Sequence, residues 1–305
     1  MSIHKVSYIG VGTMGMGMAL NLGTKSKAQF DYLVLDVNPV MLEQFDEKGF
    51  KTSSNLEDAL DSDVIYLCLP NTEIVQSVVL GNDGFIAKMK PGQTLVDCST
   101  ISYLAAKEMG EKAEAAGIEY IDAPISGHHA KSMDGTLTIM CGGKEEVFDK
   151  IKPMLDMMGS NILYMGGYGC GQLTKMINNC AMNSCISAFC ELMPLGVKLG
   201  LPAEKIGQVL MVAAGASNAS KSLIPEILEG NFAHGFTLDK AYKDMKAMLD
   251  VTGKYAVPLP TLYGTMSTYQ LALQNGHGDD YKGAMIKFYE DMLGVKCRKP
   301  GFEDK

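Results

Sequence analysis

Hydrophobic residues in the first half of the chain fall in short runs that alternate with longer amphipathic stretches. The runs have the length and the β-branched, apolar composition of buried strands: Lys5–Ile9, Asp31–Leu35, Asp63–Leu69, Thr94–Asp97, Glu119–Asp122, Leu137–Cys141 and Asn161–Tyr164. Helical patterns at Ser102–Ala116 and Lys144–Met158 separate several of them. This alternation predicts an α/β domain over residues 1–165, with a mostly parallel, doubly wound sheet.

The pattern becomes helical after residue 165. Apolar residues recur at helical spacing in several stretches: Pro202–Ala213, Ser220–Leu228, Leu238–Gly253 and Pro260–Leu273. Asp279 or Asp280 is expected to cap a last helix that ends near Gly294. We therefore predict an all-helical second domain over residues 166–305, which begins with a long helix after Gly171. Only the end of the chain, Lys299–Lys305, is expected to be disordered.

A glycine-rich segment joins the first strand to the first helix. It reads Gly10-Val11-Gly12-Thr13-Met14-Gly15, which is G-x-G-x-x-G in the strand–turn–helix context that this motif requires. Glycines there allow a tight turn and a close approach of backbone N–H groups to a pyrophosphate, and the helix N-terminus adds partial positive charge. The segment predicts a dinucleotide-binding site, although a glycine turn before any helix can resemble it.

An acid, Asp36, ends the second strand. A carboxylate at this point accepts hydrogen bonds from the ribose hydroxyls of NAD and repels the 2′-phosphate of NADP. The following residues, Val37-Asn38-Pro39, include no arginine that could hold that phosphate. The sequence therefore favours NAD over NADP, and the alternative is an acid at the start of a helix before Pro39.

Ligands of doubly wound sheets collect at the carboxyl ends of the strands. Pro70, Thr100 and the segment after Asp122 all lie at such ends. In that segment, Ser126 and Gly127 can offer a hydroxyl and backbone N–H groups to a carboxylate. A surface turn rich in proline and glycine is an equally good interpretation of the same residues.

A second glycine-rich loop precedes the long helix. Along that helix Lys175, Asn179 and Asn183 share one face at i, i+4 and i+8, among largely apolar neighbours. A lysine beside apolar residues is costly to bury without a use. The pattern indicates a lysine with a chemical role, and a solvated stripe on a surface helix is the alternative.

Composition excludes several classes of function. A net charge of −8 argues against a nucleic-acid partner, which needs clustered lysine and arginine. No signal peptide and no apolar run long enough to cross a membrane are evident. The eight cysteines include no C-x-x-C pair, which is typical of reduced thiols in a cytoplasmic protein. No metal-ligand cluster is visible beyond the neighbouring pair His128 and His129, so we expect no metal.

These motifs together resemble the β-hydroxyacid dehydrogenase family, which includes 3-hydroxyisobutyrate dehydrogenase and tartronate semialdehyde reductase and falls in the 6-phosphogluconate dehydrogenase superfamily. The resemblance covers nearly the whole chain. Its motifs are GVGTMGMGMALNL from Gly10, DCSTIS from Asp97, DAPISG from Asp122, GTLTIMCGG from Gly135, the G-x-G-x-x-x-K-x-x-N-N run that ends at Asn179, and KDM from Lys243.

The resemblance implies a Rossmann domain, a helical second domain and a role for each matching residue. It makes Lys175 the catalytic acid/base, with Asp244 helping to orient it. It assigns the substrate carboxylate to Asn179, Ser126 and Gly127. It also implies that the cofactor contacts the glycine loop and a further set of residues: Leu69, Pro70, Thr100 and Lys243.

Two departures from the family pattern affect the expected substrate. His128 replaces the second glycine that usually follows Ser-Gly, and Tyr103 replaces the proline after the Ser-Thr-x-Ser turn. We hypothesise that His128 contacts a second polar or anionic group of the substrate.

The resemblance implies a homo-oligomeric enzyme, dimer or tetramer, that interconverts a short β-hydroxy acid and its semialdehyde, and the cysteine pattern indicates a cytoplasmic location. Alternative substrates are 2-hydroxy-3-oxopropionate (tartronate semialdehyde), succinic semialdehyde and 2-(hydroxymethyl)glutarate. Two competing hypotheses are an imine reductase and a non-catalytic dinucleotide-binding protein, and Lys175 argues against both.

Overall fold

The computed structural model describes residues 3–305. The chain divides into two compact units, and the boundary between them falls after Lys175. That boundary lies inside the long helix Cys170–Lys198, which starts in the first unit and continues into the second.

In its described part, residues 3–175, the first unit is built on one sheet of nine strands. In chain order they are β1 Lys5–Ile9, β2 Asp31–Leu35, β3 Lys51–Ser53, β4 Val64–Leu67, β5 Thr94–Asp97, β6 Glu119–Asp122, β7 Ile125–Ser126, β8 Leu137–Gly143 and β9 Gly159–Gly166. Their order across the sheet is β3-β2-β1-β4-β5-β6-β8-β7, and β9 pairs with β8. The strands from β3 to β6 are parallel, as predicted, whereas β8 runs antiparallel to β6.

Helices flank this sheet. They are α1 Gly15–Lys25, α2 Glu43–Asp46, α3 Thr72–Leu80, α4 Phe85–Lys88, α5 Tyr103–Ala115, α6 His129–Asp134 and α7 Glu145–Leu155, with 3-10 turns at Pro39–Leu42 and Leu56–Asp61. Every residue of β4 and β5 is buried, because these central strands are covered on both faces. Two hydrophobic clusters, which include Tyr66 and Leu67 respectively, fill the two sides of the sheet.

Three elements of this unit differ from the sequence-based expectation. The edge strand β3 has no hydrophobic alternation and owes its position to pairing with β2. Ser126 belongs to a short strand, β7, that pairs with β8. The segment after Gly127, expected to be a loop, contains the helix α6.

The second unit is helical, as predicted. Its elements are the continuing α8 Cys170–Lys198, α9 Ala203–Val212, α10 Asn218–Leu228, α11 Leu238–Tyr255, α12 Pro260–Gln274, a 3-10 turn Lys282–Ala284 and α13 Met285–Leu293. In α11 the predicted apolar positions Ala241, Met245 and Met248 are buried, while Lys243 is exposed. The α/β unit and the helical C-terminal half together confirm the predicted fold class.

The end of the chain is ordered against α10, contrary to the expectation for Lys299–Lys305. Backbone N–H groups of Lys299 and Lys305 donate to the carbonyls of Leu228 and Gly230, both at 2.8 Å. The predicted aspartate cap of the last helix was also wrong. Ala284 is the N-cap of α13, and Asp280 instead pairs with His277.

By length and composition α8 could cross a membrane, contrary to our expectation that no apolar run reaches that length. Core helices of soluble proteins pass the same test, so this property is weak support for a membrane location.

Candidate active site

Four neighbouring parallel strands of the first unit end at one edge of the sheet. The loops that follow β1, β4, β5 and β6 therefore lie side by side at this carboxyl edge. These loops begin at Gly10, Cys68, Cys98 and Ala123. The sequence-predicted residues of the first unit are brought to this edge because the topology places their strands together.

The glycines of the loop after β1 serve different purposes. Gly10 has a φ of +92°, and a Cβ there would lie 2.4 Å from the carbonyl oxygen of Cys68. A Cβ at Gly15 would lie 1.9 Å from the carbonyl oxygen of Gly10. At Gly12 a Cβ would meet no described atom within 4 Å. Gly10 and Gly15 are thus required by the fold, while Gly12 leaves space at the loop for a ligand.

The helix that follows has an open N-terminus. In the described chain no side chain caps α1 at Met14, and its first turn carries no acidic residue. Backbone N–H groups at such a terminus bind anions, because they lack internal partners and point along the helix dipole. The loop from Gly10 to Gly15 therefore suits the pyrophosphate of a dinucleotide.

Asp36 faces this loop from the end of β2. Its carboxylate accepts hydrogen bonds from the backbone N–H of Val11 and from that of Asn38, each at 2.9 Å. The side chain is half-buried, and these bonds fix both oxygens. Each oxygen keeps a lone pair for a ribose hydroxyl, so the residues present fit an adenine dinucleotide.

The loops after β4 and β5 are joined to each other by hydrogen bonds. The backbone N–H of Leu69 donates to Oγ of Ser99 at 2.8 Å, and the N–H of Ser102 donates to Oγ1 of Thr72 at 3.0 Å. Pro70 is exposed and Thr100 is half-buried. Leu69, Pro70 and Thr100 thus occupy one connected surface at the edge of the sheet.

The segment after β6 requires glycine at a second point. Gly127 has a φ of +146°, and a Cβ there would lie 2.7 Å from Cδ2 of Leu137. Ser126 is half-buried and His128 is exposed. The hydroxyl of Ser126 and the backbone of Gly127 lie next to each other at the end of β7.

Helix α6 packs against the dinucleotide loop, which is the loop from Gly10 to Gly15. Nδ1 of His129 lies 2.7 Å from the carbonyl oxygen of Thr13, and Oγ of Ser132 donates to the carbonyl of Met14 at 2.5 Å. The helices are so close that a Cβ at Gly17 would lie 2.5 Å from the carbonyl carbon of Ser132. This contact of His129 could not be predicted from the sequence, because its partner is more than a hundred residues away.

The long helix α8 starts on the same edge. Asp122, fully buried at the end of β6, accepts hydrogen bonds from the backbone N–H groups of Gly169 and Gln172 at 2.7 and 2.8 Å. Lys175 follows Gln172 by one turn and is half-buried. Asp122 therefore caps the helix that carries Lys175, a role that the sequence did not indicate.

Two buried carboxyls at this edge have raised pKa values. Burial raises the pKa of Asp97 to about 6 and that of Asp122 to about 7, and the charge of Asp97 adds to the effect on Asp122. Hydrogen bonds from backbone N–H groups oppose burial at both residues.

The second unit holds the other predicted residues. Nδ2 of Asn179, which is buried, donates to Oδ2 of Asp244 at 2.9 Å. Nζ of Lys243 lies 3.9 Å from Oδ1 of the same carboxylate, with the lysine side chain half exposed. Because a carboxylate only accepts, Asp244 fixes which end of the Asn179 amide faces it. Along α8, Asn179 follows Lys175 at i+4, on the same helix face.

Among residues 3–305 no group of three or more histidine, cysteine, aspartate or glutamate side chains is arranged to hold a metal ion. His129 is instead bonded to the dinucleotide loop.

Two sequence families match the chain. Residues 5–166 match the family described as the NAD binding domain of 6-phosphogluconate dehydrogenase. Residues 169–289 match the one described as NAD-binding of NADP-dependent 3-hydroxyisobutyrate dehydrogenase.

Characterised relatives align over almost the full length. A 2-(hydroxymethyl)glutarate dehydrogenase from Eubacterium barkeri is 33% identical and covers 95% of this chain and 96% of its own. A 2-hydroxy-3-oxopropionate reductase from Escherichia coli is 29% identical over 96% of this chain and 99% of its own.

Solved structures of similar proteins share the fold of this chain over almost its full length. A Mycobacterium tuberculosis 3-hydroxyisobutyrate dehydrogenase with L-serine has a TM-score of 0.83 at 26% identity, and covers 93% of this chain and 98% of its own. An imine reductase from Myxococcus stipitatus has a TM-score of 0.63 over 93% of this chain and 99% of its own. Its 17% identity shows the fold alone.

Proposed function

Because the chain belongs to the β-hydroxyacid dehydrogenase family, and is accordingly an NAD-dependent oxidoreductase of hydroxy acids, we propose that it interconverts a short β-hydroxy acid and its semialdehyde with Lys175 as the acid/base. The observation that carries this proposal is the start of α8. Asp122 holds that helix on the carboxyl edge of the sheet, and the helix presents Lys175 and Asn179 one turn apart.

Residues 1–165 supply all but one of the cofactor-binding residues in this proposal. Gly10, Gly12, Thr13, Met14 and Gly15 hold the pyrophosphate, and Asp36 holds the adenosine ribose. When bound, NAD supplies the acceptor for the hydride that leaves the alcohol carbon. Leu69, Pro70, Thr100 and Lys243 are assigned to the cofactor as well.

The preference for NAD over NADP rests on Asp36. Its carboxylate lies where the 2′-phosphate of NADP would bring a second negative charge. Titration of the protein with NADH and NADPH measures this preference, and tighter binding of NADPH would contradict it.

Lys175 moves the proton. As the alcohol carbon loses its hydride, the hydroxyl proton passes to the amine of Lys175, and the product is the semialdehyde. In the reverse direction the protonated amine returns that proton to the oxygen.

Three residues are assigned to the substrate carboxylate. One N–H of the Asn179 amide is committed to Asp244, and the second can donate to the carboxylate. The hydroxyl of Ser126 and the backbone N–H of Gly127 supply further donors. Residues 166–305 are the substrate and oligomerisation domain of this proposal.

The exact substrate is proposed from chemistry and from relatives. We favour a 3-hydroxyisobutyrate dehydrogenase-like reaction. The relatives support 2-hydroxy-3-oxopropionate and 2-(hydroxymethyl)glutarate as alternatives, and succinic semialdehyde has the same reacting groups. The exposed His128, beside Ser126 and Gly127, is the side chain we assign to a second polar group of the substrate.

A panel of these semialdehydes, followed by loss of NADH absorbance, tests the reaction. We expect Lys175→Ala to lower kcat on the best substrate by at least about 100-fold, which is the usual contribution of a positioned acid/base. NADH binding, measured by fluorescence titration, should change little. Lys198→Ala, an exposed lysine at the end of the same helix, is the matched control.

Two outcomes would contradict the proposal. Full turnover by Lys175→Ala would remove this amine from the mechanism. Tight NADH binding without turnover on any member of the panel would instead favour a non-catalytic dinucleotide-binding protein.

We also propose that the enzyme is a cytoplasmic homo-oligomer, a dimer or tetramer. The C-terminal part of α8 exposes the apolar side chains of Leu192 and Leu195, and the exposed Leu199 directly follows the helix. Exposed apolar stripes of this kind often cover one another between subunits. Light scattering on the purified protein measures the assembly, and a monomeric mass would contradict it.

A further inference from the structure

The first turn of α8 is tied to the sheet by a buried glutamine as well as by Asp122. The side chain of Gln172 is fully buried. Its Nε2 donates to the carbonyl of Ser99 at 2.7 Å, and its Oε1 accepts from the backbone N–H of Ile101 at 3.1 Å. The carboxamide therefore holds the backbone on both sides of Thr100.

These bonds belong to a longer chain of contacts. Ser99 accepts the N–H of Leu69 through its hydroxyl, and its own backbone N–H donates to Asp97 at 2.9 Å. Gln172 thus connects the helix to the loop after β5, and Ser99 connects that loop to the one after β4. The surface that carries Leu69 and Thr100 and the start of α8 form one hydrogen-bonded body.

Close packing leaves little freedom at this junction. A Cβ at Gly171 would lie 2.3 Å from the carbonyl oxygen of Met140 and 2.8 Å from that of Asp122. A Cβ at Gly142 would lie 2.7 Å from the backbone nitrogen of Gly171. The helix start therefore lies against the ends of β6 and β8 with no room for a side chain, and the direction of its first turn is set there.

We propose that Gln172 is a positioning residue that fixes Lys175 relative to the loops at Leu69 and Thr100. Lys175 follows Gln172 at i+3, so a shift or rotation of the first turn moves the amine directly. A carboxamide is needed because the site asks one side chain to donate on one side of Thr100 and to accept on the other. The role rests on the proposed function of Lys175.

Gln172→Glu is the sharpest test, since it keeps the shape of the side chain. The ionised carboxylate accepts from Ile101 but faces the carbonyl of Ser99 without a donor. We expect kcat at about pH 8 to fall by about 10- to 100-fold, the scale of a small misplacement of a catalytic group. The dissociation constant of NADH should change less than kcat, because the glycine loop and Asp36 are untouched and only the loop that carries Thr100 is disturbed.

Lowering the pH should restore the variant. A protonated carboxyl donates through its O–H and accepts through its carbonyl, which reproduces both bonds of the amide. Burial and the nearby carboxylates Asp97 and Asp122 favour the protonated form. The ratio of variant to parent kcat should therefore rise as the pH falls toward about 6, with the parent measured at each pH as the reference.

Gln93 provides a matched control in the same unit. It is also buried, donates to the carbonyls of Leu60 and Ser62 at 2.9 and 2.6 Å, and accepts from the N–H of Lys90. It lies just before β5, at the opposite end of that strand from Thr100. Gln93→Glu should lower the melting temperature without the selective, pH-reversible loss of kcat.

Gln172→Met, an apolar side chain of similar length, decides the question if the glutamate variant does not fold. It should also lower kcat more than it weakens NADH binding, but without rescue at low pH. An unchanged kcat, an equal loss in Gln93→Glu, or loss of NADH binding in both Gln172 variants would overturn the proposal. If Lys175→Ala itself keeps full turnover, the proposed function fails; if only the Gln172 variants keep it, this inference alone fails.

Discussion

Single residues at the edge of the sheet have separable tasks. The tight turn at the glycine motif and the place of Asp36 at the end of β2 could be predicted from the sequence, because both depend on local spacing between a strand and a helix. Asp122 and Gln172 could not, since their partners lie 50 and 73 positions away along the chain. A buried glutamine in an apolar helix gives no signal of its own until the fold supplies its partners.

The two outer glycines and the central one should respond differently to alanine. Gly12→Ala adds a methyl group where the protein has open space, so the melting temperature should not change. The dissociation constant of NADH should rise at least about tenfold, which corresponds to about 1.4 kcal/mol, because the methyl group occupies the approach of the pyrophosphate. Fluorescence titration and thermal unfolding measure the two quantities.

Gly15→Ala should instead destabilise the first unit. Its Cβ would overlap the carbonyl oxygen of Gly10, and overpacking of this kind costs about 1–3 kcal/mol. If Gly12→Ala bound NADH as tightly as the parent, the pyrophosphate would not lie at this loop.

At the scale of elements, regular patterns were predictable and short irregular ones were not. The strands β1, β2, β5 and β6 match their predicted bounds, because continuous apolar runs between turns define them. Helix α6 was missed because it is short and lacks apolar periodicity, and its contacts with α1 hold it in place. The C-terminal segment was expected to be disordered because it also lacks apolar periodicity. In the structure a buried ion pair between Glu290 and Arg298 holds it in place.

That ion pair predicts the stability of the C-terminal segment. Arg298 donates to both oxygens of the fully buried Glu290, at 2.6 and 3.0 Å. Arg298→Ala would leave this carboxylate only the backbone N–H of Cys297 at 2.9 Å and Nζ of Lys296 at 3.5 Å, so the loss of stability should approach, and not exceed, the cost of about 3–5 kcal/mol for a buried charge without compensation. Urea unfolding followed by circular dichroism measures the loss.

An exposed pair serves as the control for this prediction. Nζ of Lys51 lies 3.5 Å from Oδ1 of Asp31, and both side chains are more than half exposed. Lys51→Ala should change stability far less, because water already screens the pair. Equal effects of the two substitutions would show that burial does not determine the contribution of Glu290.

At the scale of the whole molecule, the α/β unit and the helical C-terminal half followed from the sequence, since each type of element has its own hydrophobic period. The position of the unit boundary inside α8 had no sequence signal, because the helix continues through it. The raised pKa values of Asp97 and Asp122 likewise result from burial in the assembled first unit.

These two carboxyls make stability depend on pH. Their pKa values in the folded chain, about 6 and about 7, exceed the ordinary value of 3.8, so the folded state binds more protons between those limits. Their contribution is fully present at low pH and is lost as the pH rises through the folded pKa. For each unit by which the pH rises between 3.8 and its folded pKa, each carboxyl lowers the free energy of unfolding by up to about 1.4 kcal/mol.

Asp97→Asn isolates one of them, because the amide oxygen can still accept from Ser99. Relative to the parent, the variant should gain stability as the pH rises from about 4 to above about 6. The chain has no tryptophan, so urea unfolding is followed by circular dichroism. A difference between parent and variant that is the same at every pH would contradict the assignment.

The contact between α6 and the dinucleotide loop constrains any attempt to re-engineer this enzyme. The segment from Gly127 to Gly135 is an obvious one to exchange with relatives, since it begins at Gly127, which we assign to the substrate carboxylate, and is bounded by glycines with positive φ. Yet His129 and Ser132 contact the backbone carbonyls of Thr13 and Met14. The backbone of Ser132 also packs so closely against Gly17 that no side chain would fit there. An exchange of this segment that alters substrate preference will therefore also disturb the binding of the coenzyme, unless residues 13–17 are exchanged with it.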